Sequence, residues 1–305
     1  MSHDHHHHGH DGASGRLGLA FALNVAFTVI ELFGAWLTNS TAIAADALHD
    51  LGDSLSLAFA WGMEGLSRRA PTNTYTYGFR RLSLVGAWIN ALVLLVGGGL
   101  VLGEAIPRLW SPGQPDAAGM LGLAVLGVLV NGAAVLRVRT GTTLNERVVT
   151  WHLLEDVLGW VAVLLVSIVM LFADVPILDP ILSIGVTLWV GFNAARNLKR
   201  TMDVFLQAVP EDVDVGALRA EAEQIDGVVE LRHVHVWSQE GEHHVLTADL
   251  VVNCTSLDEA LALLQRVRHR LRDVGIAHST LQLAQEQSLG GHGASPEGDP
   301  CASQT

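Results

Sequence analysis

The chain has 305 residues, 50% of them hydrophobic and only 16% charged, with a formal net charge of -13 at pH 7 and a mean hydropathy of +0.35. That composition is too apolar for an ordinary soluble protein and points to a multispanning membrane protein. The acidic balance, with no cluster of Lys and Arg, excludes a nucleic-acid binder. Two cysteines, Cys254 and Cys301, have no CxxC spacing, which excludes a disulfide framework and a cysteine zinc cluster.

Six of the first ten residues are histidines, and no basic segment precedes the first apolar run, so the pattern of a cleavable secretory signal is absent. Residues 1–15 read as a histidine-rich tail whose close-set imidazoles could hold metal, or as an affinity tag; the interruptions by Asp4 and Gly9 favour the natural tail. Six apolar stretches follow, at 17–38, 41–63, 82–106, 119–137, 149–173 and 177–196. Each is close to the ~20 residues that an α-helix needs to cross a hydrocarbon core of ~30 Å. The predicted membrane domain covers residues 16–200.

Basic residues set the expected topology. Arg68, Arg69, Arg80 and Arg81 lie between predicted helices two and three, Arg137, Arg139 and Arg147 between four and five, and Arg196, Lys199 and Arg200 after six. The alternate loops offer only Arg108. By the positive-inside rule both termini are expected in the cytoplasm, with the protein integral to the cell (inner) membrane.

Beyond Arg200 the pattern becomes charged and alternating, starting from a turn at Pro210, Glu211 and Asp212. Asp214 is placed to cap a helix, VVELRHVHVW and HHVLTADLVV read as strands, SLDEALALLQRVRHRLRDV as an amphipathic helix and IAHSTLQLA as a last strand. The order αββαβ predicts a small ferredoxin-like α/β domain over 201–286, with helices on one face of a sheet. Residues 287–305 have no hydrophobic period and are expected to be disordered.

Ionisable groups inside a spanning helix are costly and demand a reason. The second predicted helix carries Asp46, His49, Asp50 and Asp53, and the fifth carries His152 and Asp156. His49 and Asp53 are four apart, so they share a helix face about 6 Å apart along the axis and can reach one cation; His152 and Asp156 repeat the spacing. Two imidazoles and two carboxylates suit a tetrahedral Zn²⁺ site, and the two negative charges match one divalent ion. The alternative for the second helix is the pair Asp46 and Asp50, offset around the same helix. A local hydrogen-bonded pair is the bland reading of either spacing, and its recurrence on two helices favours metal. Nitrogen and oxygen ligation favours Zn²⁺, with Cd²⁺ and Co²⁺ as companions, over an ion that prefers oxygen alone.

The other intramembrane polar residues have simpler expectations. Asn24, Asn90 and Asn131 are expected to bond between helices, Glu31 to sit near the outer interface or line the ion path, and Glu155, turned about 100° from Asp156, to be structural or interfacial. The glycines of VGGGLVLG, 96–103, suit close helix packing.

The stretches ADALHDLGDSLSL, YTYGFRR, HLLED, HVHVW and HSTLQL together resemble the cation diffusion facilitator family, over nearly all of residues 17–282. In that family's zinc-transporting members an HxxxD pair on helix two and another on helix five form the transport site, which the resemblance carries to His49, Asp53, His152 and Asp156. It further implies a homodimer, alternating access driven by the proton gradient, and a metal-binding cytoplasmic domain. The ligand positions of that domain fall on His233, Asp249, where His is frequent, and His278, whereas Ala284 stands where a carboxylate often does. His235, His243 and His244 are further imidazoles nearby. The loop SRRAPTNTYTYGFRR lacks the Asp and His with which some relatives build an additional site, so none is expected there.

The expected function is therefore efflux of a divalent cation by proton-coupled antiport, with metal ions and protons as partners and no catalysis. A membrane metalloenzyme would need an open coordination position and a base such as HExxH supplies, and neither HDLGD nor HLLED provides it. A membrane metal sensor that does not transport remains the alternative, although a sensor has no need of ligands at membrane depth.

Overall fold

The computed structural model describes residues 11–67, 69, 71–138 and 144–285, except for the side chains of 11–20, 60–61, 63–67, 137–138, 144–153 and 285. Arg68, Arg139, Cys301, the tail histidines before Asp11 and the segment 287–305 lie outside the described residues. The chain divides into two compact units, Met1–Lys199 and Arg200–Thr305.

Among the described residues the first unit holds six long helices: α1 Asp11–Thr38, α2 Thr41–Ser67, α3 Leu82–Arg108, α4 Ala117–Val138, α5 Leu144–Phe172 and α6 Leu178–Phe205, whose last residues enter the second unit. Helix α1 begins inside the segment that the sequence reads as tail. Among the described residues five helices contain stretches long and apolar enough to cross a membrane, Phe21–Thr38, Leu82–Arg108, Ala117–Leu136, Leu154–Phe172 and Leu178–Phe205. Helix α2, of 27 residues, departs from them through Asp46, Asp50 and Asp53.

The polarity of this unit is inverted relative to a water-soluble bundle. Trp36, Leu100, Leu129, Phe172 and Phe192 are exposed, while Thr28, Glu31, Asp46, Asp50, Ser54, Ser167, Asp179 and Ser183 are buried. An apolar exterior around a polar interior is the arrangement that hydrocarbon solvent stabilises. Small residues let the helices approach: a Cβ on Gly97 would lie 2.4 Å from Leu48 Cδ1, and one on Gly98 would lie 3.2 Å from Thr187 Cγ2, so the 96–103 stretch packs α3 against α2 and α6.

The turn between α1 and α2 is fixed from two other helices. Asn39 takes the left-handed conformation at φ 55, and Arg108 at the end of α3 donates to its carbonyl at 2.8 Å and its side-chain oxygen at 3.0 Å. Helix α2 has no acidic residue in its first turn. Asp179 of α6, 1% exposed, supplies the missing charge. Its carboxylate accepts from the Thr41 and Ala42 backbone N–H groups at 2.8 and 3.1 Å, and from the Ser40 and Thr41 hydroxyls at 2.5 and 2.8 Å. A carboxylate against these otherwise unsatisfied donors, at the positive end of the helix dipole, holds α2 by its N-terminus.

The second unit follows the expected order: α7 Val215–Glu223, β1 Val228–Ser238, β2 His244–Val252, α8 Leu257–Asp273 and β3 His278–Gln285. Val213 N–H closes the Pro210 turn at 3.0 Å, and Asp214 caps α7 by accepting from Gly216 and Ala217 N–H at 2.8 and 3.1 Å. The sheet order is β1-β2-β3, with β1 antiparallel and β3 parallel to β2. Leu231, Val234, Val236, Leu246 and Leu250 of the sheet share one core with Leu218 and Ala222 of α7 and Leu263, Val267 and Leu271 of α8. The β1–β2 register shifts between Arg232 and His235, where His233 takes φ 49. This is a β-bulge, and it resets the alternation so that Leu231 and Val234 both face inward.

Candidate metal site

The first turns of α2 present Asp46, His49, Asp50 and Asp53 to the interior of the bundle, and α5 meets them with Asp156. His49 Nε2 stands 3.8 Å from Asp53 Oδ2 on its own helix and 3.8 Å from Asp156 Oδ1 across the helix pair. The ligand atoms of His49, Asp53 and Asp156 all lie within 4.8 Å of one another. Their side chains are 21%, 25% and 11% exposed respectively, so the group is reachable without facing bulk solvent.

The spacing has chemical meaning. Separations of 3.8 Å exceed the hydrogen-bond range of about 2.7–3.2 Å. Ligands of a tetrahedral Zn²⁺, each about 2.0–2.2 Å from the ion, stand roughly 3.4 Å from one another. His49 is therefore separated from each carboxylate by close to the distance that a shared ion imposes. One imidazole and two carboxylates also form a borderline donor set that balances a divalent charge. His152 lies on α5 one turn before Asp156, and its side chain is outside the described residues.

Packing explains how α5 brings Asp156 to α2. Trp160, one turn beyond Asp156, is 2% exposed. It meets Phe27 of α1 edge-on, with ring centroids 6.0 Å apart, and lies so close to α4 that a Cβ on Gly127 would fall 2.1 Å from its ring. Gly159 gives similar relief toward α2, since a Cβ there would lie 3.2 Å from Asp46 Oδ1. Trp189 of α6 donates its indole N–H to Glu155 at 2.7 Å, in keeping with a structural role for that residue.

Asp46 and Asp50, the alternative pair, are buried at 6% and 7% exposure and stand outside the group formed by His49, Asp53 and Asp156. Glu31 is 1% exposed in α1 and interacts electrostatically with both aspartates. Asn24 bonds between helices, donating to the Asp50 carbonyl at 3.2 Å and to Ser54 Oγ at 3.0 Å. Asn90 does the same with Ser56 Oγ at 2.9 Å. Asn131 differs from expectation, because its amide donates to the Gly127 carbonyl of its own helix at 3.2 Å. It thereby satisfies its donor locally, one turn back.

In the second unit the bulge turns His233 outward, and its Nδ1 meets Asp249 Oδ2 at 2.7 Å. His278 does not join them. It pairs with Val245, whereas Asp249 pairs with Gln282, so four residues of strand, about 13 Å, separate His278 from Asp249. The parallel register of β3 thus divides the three positions that the family resemblance grouped.

Residues 17–206 match the cation efflux transmembrane domain, and residues 210–285 match the cytoplasmic domain of cation efflux proteins. The chain belongs to the cation efflux family. It is similar to the zinc transporter ZitB of Escherichia coli (strain K12), at 35% identity over 93% of this chain and 92% of that one. It is also similar to the cadmium, cobalt and zinc/H(+)-K(+) antiporter of Bacillus velezensis, at 30% identity with 91% of each chain covered. A third relative is the metal cation efflux system protein CzcD of Cupriavidus metallidurans, at 31% identity over 91% of this chain and 89% of that one. Within this family the chain is an integral membrane protein.

Sequence reasoning passed over Asp179, Trp160 and Gly127 as supports of the site. Asp179 carried a signal, a carboxylate beside Pro180 at the start of an apolar helix. The Trp160–Gly127 contact carried none, because it joins two helices whose facing sides are both apolar.

Proposed function

We propose that the chain exports divalent cations, Zn²⁺ foremost, in exchange for protons, binding each ion between α2 and α5 on His49, Asp53, His152 and Asp156. The observation that carries this reading is His49 Nε2 at 3.8 Å from carboxylates on two different helices, a spacing suited to a shared ion. The loaded site need bury no net charge, since two carboxylates offset one divalent ion. Two protons on the emptied ligands restore the same balance, so exchange of metal for protons follows from electrostatics.

The names of the relatives support the cargo and the coupling. Zinc is common to the transporter and the antiporter, and the antiporter's name adds cadmium, cobalt and protons. Cd²⁺ and Co²⁺ are accordingly secondary cargo. The protein is a transporter and not an enzyme, and the metal is its substrate. The basic loops support a topology with both termini in the cytoplasm of a bacterial inner-membrane protein, where the second unit would work as part of a homodimer.

Purified protein in liposomes with a trapped zinc indicator and a pH indicator tests the proposal. Zn²⁺ movement accompanied by opposite proton movement, both lost in Asp156→Ala, is the expected result. Zn²⁺ flux unaltered in Asp156→Ala would remove the site, and flux without proton movement would remove the exchange. Binding without flux would turn the reading to a sensor.

A further inference from the structure

Helix α5 is gripped on both sides of Asp156. An α-helix turns by about 100° per residue, so Glu155 projects about 100° to one side of Asp156, and Trp160 about 40° to the other. Trp160 is wedged against Phe27 of α1 and Gly127 of α4. On the opposite flank the Glu155 carboxylate accepts the indole N–H of Trp189, from α6, at 2.7 Å. A rotation of α5 that carried Asp156 away from His49 would pull Trp160 out of its wedge and strain the bond to Trp189.

The α6 end of that bond is itself anchored. Asp179 ties the start of α6 to Thr41 at the start of α2, and Thr187, two residues before Trp189, lies against Gly98 of α3. Counted from the Asp179–Thr41 contact, His49 lies about 12 Å along α2 and Trp189 about 15 Å along α6. Helix α6 therefore grips both ligand-bearing helices, α2 at its N-terminus and α5 one residue from its carboxylate ligand.

The surroundings of the pair are apolar. Glu155 and Trp189 are exposed, and so are their neighbours Leu154, Leu158, Leu188 and Phe192. In an apolar surround water does not compete for the indole N–H or for the carboxylate, and a charge-assisted bond holds more strongly than on a wet surface. A carboxylate on such an exterior is costly, and fold stability alone would favour leucine at that position.

We propose that Glu155 and Trp189 are positioning residues for the ion: their bond fixes the rotation of α5, and with it the 3.8 Å separation of Asp156 from His49. The pair acts through Asp156 and makes no contact with the ion itself. This inference rests on the reading of Asp156 as an ion ligand. It gives α6, which supplies no ligand, a share in the affinity of the site.

Initial Zn²⁺ flux of the full chain in liposomes, measured against Zn²⁺ concentration, tests the pair. Trp189→Phe keeps an aromatic ring and removes the N–H, Glu155→Leu removes the acceptor and suits an apolar exterior, and Glu155→Gln keeps an acceptor oxygen. Trp189→Phe and Glu155→Leu are each expected to raise the concentration for half-maximal flux about 10-fold. Maximal flux should change little, and the thermal midpoint of Glu155→Leu in detergent should not fall, which separates positioning from a merely structural role. Glu155→Gln should stay near the wild-type value, and the double variant Glu155→Leu/Trp189→Phe should be no worse than either single one, because both act through one bond. Wild-type half-saturation in both single variants overturns the proposal. So does Glu155→Gln behaving like Glu155→Leu, which would assign the effect to charge, or additive losses in the double variant, which would assign it to two separate roles. Flux unaltered in Asp156→Ala would sink the transport site and the positioning together; an inactive Asp156→Ala beside wild-type half-saturation in both single variants would sink the positioning alone.

Discussion

In the helical unit, His49 Nε2 stands 3.8 Å from each of two carboxylates; in the second unit, His233 Nδ1 lies 2.7 Å from the single carboxylate of Asp249. The residue types are the same, but the surroundings differ. His49 is held on one rigid helix, and Asp156 is positioned from another by Trp160, so neither side chain collapses onto the other. His233 sits 73% exposed on a bulge, where, among the described residues, no packed neighbour element holds its ring apart from Asp249 and the two satisfy each other by a hydrogen bond. Rigid spacing by packed helices, more than the presence of His and Asp, distinguishes an ion site from an ordinary hydrogen bond.

That contrast can be broken at its strongest point first. Asp156→Ala should lower Zn²⁺ flux by at least about 100-fold in liposomes, since it removes one of the proposed ligands outright. Next is the packing that holds the spacing. Gly127→Ala forces a methyl against the Trp160 ring, and should destabilise the detergent-solubilised chain by about 1–3 kcal/mol in denaturant titration. An unchanged midpoint would mean that α5 is not wedged there. His49→Asp, which replaces nitrogen by oxygen, should raise the Cd²⁺ to Zn²⁺ flux ratio several-fold, about 3 or more; an unaltered ratio counts against His49 as a ligand. His233→Ala should leave the flux within about twofold, as for an exposed side chain whose one hydrogen bond lies within the second unit. A loss comparable to that of Asp156→Ala would erase the distinction between the two pairs.

The smallest effect concerns pH. His244, buried on β2, bonds Asp212 at 3.1 Å, and that bond holds the Asp212 carboxyl below its ordinary value. A carboxyl depressed on folding contributes stability above its unfolded pKa, about 4, and the contribution fades as pH falls through the lower folded value. Asp212→Asn should therefore narrow the stability gap between neutral and strongly acidic pH, read as thermal midpoints. Asp212 is so exposed that the change is small.

The architecture could be read from periodicity because the bundle helices other than α2 announce themselves by long apolar runs, and the second unit by alternation. The predicted strands VVELRHVHVW and HHVLTADLVV coincide with β1 and β2 almost residue for residue. The His49–Asp53 spacing was visible because it lies within one helix. What sequence could not supply was pairing between distant segments. Asp179 reaches α2 across more than a hundred residues, and Gly127 admits Trp160 from another helix, contacts that periodicity does not encode. The β3 register is of the same kind: His278 and Gln282 lie on the same strand, and only pairing decides which of them stands beside Asp249. Asn131 shows the reverse case, in which the backbone of its own helix offered a nearer acceptor than any neighbour.

The grip of Asp179 on the start of α2 carries a mechanical consequence. Four hydrogen bonds accepted by one carboxylate, with Ser183 Oγ donating to the Thr41 carbonyl at 2.9 Å, behave as a hinge pin. Helix α2 cannot slide lengthwise without drawing α6 along. Any motion that turns His49 and Asp53 from one face of the membrane to the other must then be a swing of α2 about this pinned end, or a joint movement of α2 and α6 as one lever.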